Sequence, residues 1–248
     1  MGLELPRTKI FVVSLRGAQD RRKAFVAFNL KGAPLWKFFD ACETLHPDLD
    51  YDDDNAIIAK GRPLTRGELG CYSSHYALWK QLIDDEHADQ YIILEDDVIA
   101  DWHYLERFSG VRHEDAGNDY IRLYYKRPAP FRVLEKNYLA RSTSLVELSG
   151  YCFGTQAYLL TKNGARHFAG RLRKVIRPID DEMDRSWNHG MPNRAVFPFP
   201  VVERAVDSDI GGSRFEPFAI PSRLRLRRFV ARNTERLRYH LAARRMLP

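Results

Sequence analysis

The sequence has only three cysteines, Cys42, Cys71 and Cys152, in 248 residues. They cannot all pair within one chain and none lies in a Cys-x-x-Cys pair or a Cys/His spacing suited to a zinc finger, so nothing calls for a disulfide framework or a zinc finger. Long hydrophobic runs are also missing. The apolar stretches at 10–13, 91–94 and 158–160 are strand-sized, well short of the ~18 residues of a membrane span. No Asn-x-Ser/Thr site occurs, and Glu4, Arg7 and Lys9 stand where a secretory signal needs its apolar centre. A cytoplasmic chain is expected. Nucleotide signatures of the G-x-x-x-x-G-K-[ST] and G-x-G-x-x-G types are absent, as is a G-x-S-x-G elbow, so kinase, dinucleotide and serine-hydrolase chemistry have no support.

What is present is enough apolar residue, 44%, to bury the core of one large domain. Charge is unevenly placed. Residues 222–248 hold nine Arg against Glu235, a net +8, which leaves residues 1–221 at −2 within an overall +6. In a helical tail, Leu226, Phe229, Val230, Leu237 and Leu241 fall on one side, with Arg225, Arg228, Arg232 and Arg238 elsewhere. Such a basic amphipathic helix suits an anionic membrane interface; the alternative is a terminal helix docked on its own domain. Nucleic acid is a poor fit, because aromatics do not interleave with the basic strip. The expected division is a main domain over 1–221 and a basic helix over 222–248.

Along the chain, KIFVVSL (9–15) reads as a strand, followed by a GAQD turn and a helix over 21–30. Residues 35–39 read as a second strand, and 46–54, with Asp52, Asp53 and Asp54, as a solvated loop. Thr65 followed by Glu68 is a capping-box pattern that predicts a helix over 66–84. Further strands are expected at 91–94, 120–125, 144–148, 154–161 and 194–202, and helices at 102–108, 162–172 and from 178 onward. Strands and helices alternate in the first half and mix in the second, which predicts one α/β domain around a largely parallel sheet.

The sharpest local signal is YIIL (91–94) running straight into Glu95, Asp96 and Asp97. Open α/β sheets bind ligands at the carboxyl ends of their strands, which is where these acids fall. Acids at i and i+2 of an extended chain point the same way, so Glu95 and Asp97 suit one hard cation, with Asp96 facing elsewhere. A solvated acidic turn is the alternative.

The order of motifs resembles glycosyltransferase family 25. The resemblance rests on VVSL with Arg21 and Arg22, FFDA (38–41), LTRGELGCYSSHYALW (64–79), ILEDDV (93–98), GTQAYLLTKNGA (154–165) and RPIDDEM (177–183). It implies a GT-A-like fold, a nucleotide-sugar donor such as UDP-galactose, Mn2+ or Mg2+, and inverting transfer to a lipooligosaccharide or related glycan or glycolipid acceptor beside the inner face of the membrane. Asp97 and Glu95 then become the metal ligands. Ser14, Leu15, Arg21, Glu68, Ser74, His75, Glu95 and Asp96 become donor contacts. Asp180 and Asp181 become the candidates for the general base, Asp180 first. His75 would brace the acidic strand end or contact the donor, while Cys71 and Trp79 read as core packing. The rivals are a metal-dependent nucleotidyltransferase with the same acids, and a non-catalytic membrane or nucleic-acid binding module.

Overall fold

The computed structural model describes residues 5–30, 35–204 and 217–246; the last two residues of the predicted tail helix lie outside it. The first half runs β1 (Thr8–Ser14), α1 (Gln19–Phe28), β2 (Trp36–Asp40), β3 (Asp50–Tyr51), α2 (Asp53–Ala59), α3 (Arg66–Asp84), β4 (Gln90–Glu95), β5 (Val98–Ala100) and α4 (Trp102–Ser109). There follow β6 (Tyr120–Arg122), β7 (Phe131–Lys136), β8 (Ser144–Leu148), β9 (Ala157–Thr161), α5 (Lys162–Arg171), β10 (Lys174–Val175), α6 (Ile179–Asp184), α7 (Ser186–His189), β11 (Arg194–Phe197), β12 (Val201–Glu203) and α8 (Ser222–Met246).

Eight strands form the central sheet in the order β2-β1-β4-β9-β6-β11-β8-β7. The sheet is mixed, not largely parallel. β1 runs parallel to β2 and β4, and β6 to β11, but β9 is antiparallel to both β4 and β6, and β8 to both β7 and β11. Parallel neighbours need a long crossover, usually helical. Between Tyr120 and Thr161 the chain supplies only strands and turns, so β9 enters the sheet reversed. Strand-and-helix order along the sequence does not encode that direction.

YIIL is a continuous apolar run because both faces of β4 are covered. Tyr91 and Ile93 join a core with Tyr72, Trp79 and Leu82 of α3 and Phe168 of α5. Ile92 and Leu94 join the opposite core with Phe25 of α1 and Trp102, Leu105 and Phe108 of α4. Each such side chain, when fully buried, contributes on the order of 1.5–3 kcal/mol.

α3 starts where the capping box places it. Thr65 Oγ1 accepts from Glu68 N at 3.2 Å, and Glu68 Oε2 accepts from Thr65 N at 2.8 Å. The acidic run Asp52–Asp54 departs from its reading as a loop: Asp52 caps α2 by accepting from Asn55 N at 2.9 Å. Asp54 pairs with Arg223 of α8. α8 docks through one face, with Leu224 1% exposed, Arg228 donating to the carbonyls of Ile57 and Ile58, and Glu235 clamped by Arg185. Leu226, Phe229, Val230, Leu237 and Leu241 are all exposed. No helix among the described residues is long and apolar enough to cross a membrane.

Candidate active site

β1 lies between β2 and β4 and runs parallel to both, so the strand order reverses at β1. A crevice opens outside the carboxyl ends of strands at such a switch point. A cavity of about 630 Å³ lies there, and Ser14, Leu15, Arg21, Ser74, His75, Glu95, Asp96 and Asp97 all line it. Val13 is in register with Glu95, which brings the next residues of each strand, Ser14 and Asp96, side by side.

Asp96 is the organiser of this corner. It is 3% exposed, its Oδ2 accepts from Ser14 Oγ at 2.6 Å, and its Oδ1 accepts from Arg21 Nε at 2.9 Å and from the Arg21 terminal nitrogen. Both oxygens are therefore taken up in fixing Ser14 and Arg21. The same Arg21 nitrogen lies 3.6 Å from Asp97. Arg22 turns away, to the Ser14 carbonyl at 2.9 Å and to Asp40.

β4 ends at Glu95 and the backbone turns at Asp96 and Asp97, so the extended geometry expected across these acids does not continue. Glu95 and Asp97 nevertheless act on each other. Burial, then the Glu95 charge, push the Asp97 carboxyl up to about 7 against the opposing pull of Arg21. Its Oδ1 is buried with no hydrogen-bond partner among the described residues. Burial alone would raise Glu95 too, yet His75 and the Thr155 hydroxyl that donates to Oε1 hold it below its ordinary range. Two acids two residues apart thus sit on opposite sides of their usual value. An orphaned buried oxygen beside a second carboxylate is a pocket short of positive charge, and hard divalent cations take oxygen donors of this kind; the residues present fit Mn2+ or Mg2+.

His75 is fully buried, with Nδ1 2.9 Å from the Tyr158 hydroxyl; that hydroxyl oxygen accepts from Trp79 Nε1 at 2.9 Å. Its Nε2 faces Glu95 Oε1 at 3.9 Å. Ser74 donates to the Gly70 carbonyl at 2.7 Å and accepts from Cys42 N at 2.8 Å, tying α3 to the loop after β2. That loop passes so close that a Cβ on Gly70 would lie 2.6 Å from the Cys42 carbonyl oxygen. Trp79 is core, as expected, and Cys71, half-buried, packs against that core and also lines the cavity.

Glu68, Asp180 and Asp181 do not line the cavity. Glu68 is 6% exposed and held by both terminal nitrogens of Arg62, at 2.8 and 2.6 Å, besides its part in the capping box. Asp180 and Asp181 open α6 and diverge. Asp180 is half-buried and accepts from Gly154 N at 3.2 Å and Asp181 N at 2.9 Å. Asp181 is buried against Lys60 at 2.6 Å; burial pushes it up to about 6 although Lys60 opposes.

Four residues escaped the sequence reading. Glu203, at the end of β12, adds its charge to the rise of Asp97 and pairs with Lys126 at 2.8 Å. Thr155 holds Glu95. The fully buried pair Arg122 and Asp184, 2.7 Å apart, fixes the 152–154 segment: Asp184 accepts from Cys152 N and Phe153 N, and Arg122 donates to the Gly154 carbonyl. A lone arginine inside the apolar run YIRL was the available signal.

Residues 7–183 match the family model of Glycosyltransferase family 25 (LPS biosynthesis protein). Procollagen galactosyltransferase 1-B of Xenopus laevis is 28% identical over 185 residues, covering 70% of this chain and 30% of its own. Inactive glycosyltransferase 25 family member 3 of Homo sapiens is 30% identical over 191 residues, with the same two coverages of 70% and 30%. The chain thus spans about 30% of the length of these curated relatives. Among solved structures, A197 from STIV aligns at a TM-score of 0.40 and 14% identity over 81% of this chain and 86% of that one.

Proposed function

The chain belongs to glycosyltransferase family 25, and from that premise we propose that it is an inverting, metal-dependent hexosyltransferase of GT-A type. Its donor is a UDP-hexose, UDP-galactose first, and its acceptor a lipooligosaccharide, lipopolysaccharide or related glycan. Membership alone does not carry the activity, since one relative of comparable identity bears the name inactive. The observation that carries it is the Asp97 oxygen, buried and unpartnered beside Glu95 under the carboxyl ends of β1 and β4.

Asp97 and Glu95 would hold Mn2+ or Mg2+, which supplies positive charge to offset the charge developing on the departing diphosphate. Arg21, pinned by Asp96, presents its guanidinium to the same cavity and suits a diphosphate oxygen. Ser14 and Leu15 line the wall beside it, and Asp96 serves the donor by orienting Ser14 and Arg21. His75 braces Glu95 from the cavity floor. Ser74 and Glu68 support the donor side through α3, where they fix the helix and the loop packed on it.

Transfer with inversion needs a carboxylate to take the acceptor proton as its oxygen attacks from the face opposite the leaving diphosphate. Asp180, which lies outside the cavity lining but close enough for its charge to act on Cys71 within that lining, suits this role. It is more open than Asp181, and Gly154 N, whose backbone sits at φ +90°, orients its Oδ2. Asp181, paired with Lys60, anchors the start of α6.

A cytoplasmic enzyme of 1–221, held at the inner face of the membrane by 222–248, fits the exposed side of α8. At 100° per residue, Leu226, Phe229, Val230, Leu237 and Leu241 span an arc of about 120°, on the side opposite docked Leu224 and Glu235. Arginines flank it, which suits anionic lipid and no nucleic acid.

The test is a screen of nucleotide sugars with Mn2+, scoring UDP release with and without glycan acceptors. Hexose-dependent UDP release supports the reading. Diphosphate release from UTP would replace it with a nucleotidyltransferase, and absence of UDP binding in calorimetry with Mn2+ would replace it with a non-catalytic module.

A further inference from the structure

The floor of the cavity carries a donor set that transfer chemistry does not call for. Cys71 and His75 stand one turn apart on α3, and Glu95 ends β4 opposite them. The Cys71 sulfur, one ring nitrogen of His75 and one carboxylate oxygen of Glu95 lie within 4.8 Å of one another. His75 is 0% exposed, and its Nε2 has no hydrogen-bond partner among the described residues while it faces Glu95. All three residues line the cavity.

From this juxtaposition we infer that Cys71, His75 and Glu95 form a binding site for a borderline-soft divalent cation, zinc foremost, which inhibits the enzyme when occupied. Sulfur, nitrogen and oxygen around one ion is a zinc-type donor set, whereas Mn2+ and Mg2+ take oxygen. In a tetrahedral zinc site the ligand atoms are about 3.3–3.6 Å apart, from bond lengths near 2.0–2.3 Å. The His75–Glu95 separation of 3.9 Å is already close to that, and rotation of Cys71 and Glu95 about their side-chain bonds closes the remainder. Three protein ligands leave the fourth position for a water from the cavity.

The surroundings hold the ligands in place. With zinc on Nε2, His75 Nδ1 carries the proton and donates to the Tyr158 oxygen, whose two lone pairs then accept from His75 and Trp79. This is the outer-shell contact that fixes a ligating imidazole. Thr155 donates to Glu95, and α3 is anchored by its capping box. No redox step is involved: the sulfur–zinc bond forms as the Cys71 thiol proton leaves to solvent.

Inhibition follows because Glu95 belongs to both donor sets. A carboxylate engaged by zinc with Cys71 and His75 is withdrawn from the Glu95–Asp97 pair. This consequence, unlike the binding itself, rests on the reading of that pair given above.

The test uses the full chain, stripped of metal by chelator and titrated with Co2+ in place of zinc. A near-ultraviolet thiolate-to-cobalt band with strong visible bands of low-coordinate cobalt is expected at one equivalent, and stoichiometric Zn2+ should abolish it. Cys71→Ser and Cys71→Ala should both lose the thiolate band with unchanged far-UV CD, while Cys42→Ser keeps it. In Mn2+-supported transfer, each variant scored against its own zinc-free rate, Cys71→Ser should need at least tenfold more Zn2+ for half-inhibition. No thiolate band in the wild type, a band surviving both Cys71 substitutions, or equal zinc sensitivity would each overturn the inference. The cobalt spectrum needs neither donor nor acceptor, so its outcome is independent of whether any UDP-hexose is turned over.

Discussion

Replacing Glu235 by Gln should release α8 from the domain without changing the shape of the side chain. Glu235 is the only acid in the last 27 residues. Its carboxylate accepts from Arg185 Nε and a terminal Arg185 nitrogen at 2.7 Å each, and from Trp187 Nε1 at 2.9 Å and Tyr151 Oη at 3.1 Å. Burial works against its charge, but Arg185 and Trp187 outweigh that and lower its carboxyl to about 2 from an ordinary 4.5. At roughly 1.4 kcal/mol per pKa unit, the ionised form is favoured in the docked state by about 3 kcal/mol. The side chain is 14% exposed, and Gln keeps one acceptor, so about 2–3 kcal/mol should be lost near pH 7. Arg185 retains Glu182 at 2.6 Å, which keeps it from being stranded. A lowered acid stabilises above its unfolded pKa and ceases to do so as pH falls through the folded one. The difference between wild type and variant should therefore be full above pH ~4.5 and vanish towards pH ~2. Hydrogen exchange read by mass spectrometry at pH 7 should show α8 amides exchanging about 30- to 150-fold faster in Glu235→Gln, by the same conversion. Equal α8 exchange in the two proteins would refute the clamp.

Four other perturbations probe the site and its supports. Asp97→Asn should lower transfer by at least ~100-fold, on the scale of a lost charge-stabilising group. It should also raise the metal-free melting temperature, because a carboxylate with one buried oxygen left without a hydrogen bond is removed; a melting shift with Mn2+ in wild type and none in the variant checks the ligand role. Asp180→Asn should cut kcat by about 10²- to 10⁴-fold while calorimetric UDP affinity holds, and near-normal kcat would move the base elsewhere. Lys60→Met should destabilise by roughly 3 kcal/mol in urea unfolding, since it leaves Asp181 buried without its partner. Leu226→Glu with Phe229→Glu should weaken flotation with anionic vesicles by at least tenfold while sparing a short soluble acceptor. These two positions are 74% and 66% exposed, which makes them a cleaner test than deletion of the helix, whose other face covers Ile57 and Arg185.

The parts of this molecule that were legible in the sequence are those fixed by neighbours a few residues away. Thr65 and Glu68 set the start of α3 through bonds three residues apart, and the helix ends at Asp84 as its spacing predicts. YIIL marked a strand buried on both faces and the acids at its end. The three acids of Asp52–Asp54 carried a local signal too, a cap at Asp52, but α2 is seven residues long. So short a helix is marginal by itself, and its contacts with α8, Arg223 to Asp54 and Arg228 to the 57 and 58 carbonyls, come from more than 160 residues away. Strand direction was illegible for the same reason: β9 pairs with β4 across some 65 positions.

The chemistry of the acidic turn is the furthest from local. Glu95, Asp96 and Asp97 are consecutive, of one charge type, and exchangeable to any reading of composition. The fold gives each a different fate. Ser14 and Arg21 neutralise Asp96; Thr155, delivered by the segment that Arg122 and Asp184 hold down, keeps Glu95 ionised; Asp97 receives only a distant share of Arg21 and the added charge of Glu203, and is raised to about 7. An acidic turn made only for solubility would have all three groups hydrated and near their ordinary values. Keeping one oxygen of Asp97 buried without a hydrogen bond, with only Arg21 at 3.6 Å to offset the charge, lowers the stability of the metal-free protein, a cost that persists where the group is needed for a ligand. The stabilising direction of Asp97→Asn is therefore the discriminating half of that experiment: loss of transfer alone would follow from any damage to the cavity, whereas loss of transfer in a more stable protein follows only if the carboxylate is retained for what it binds.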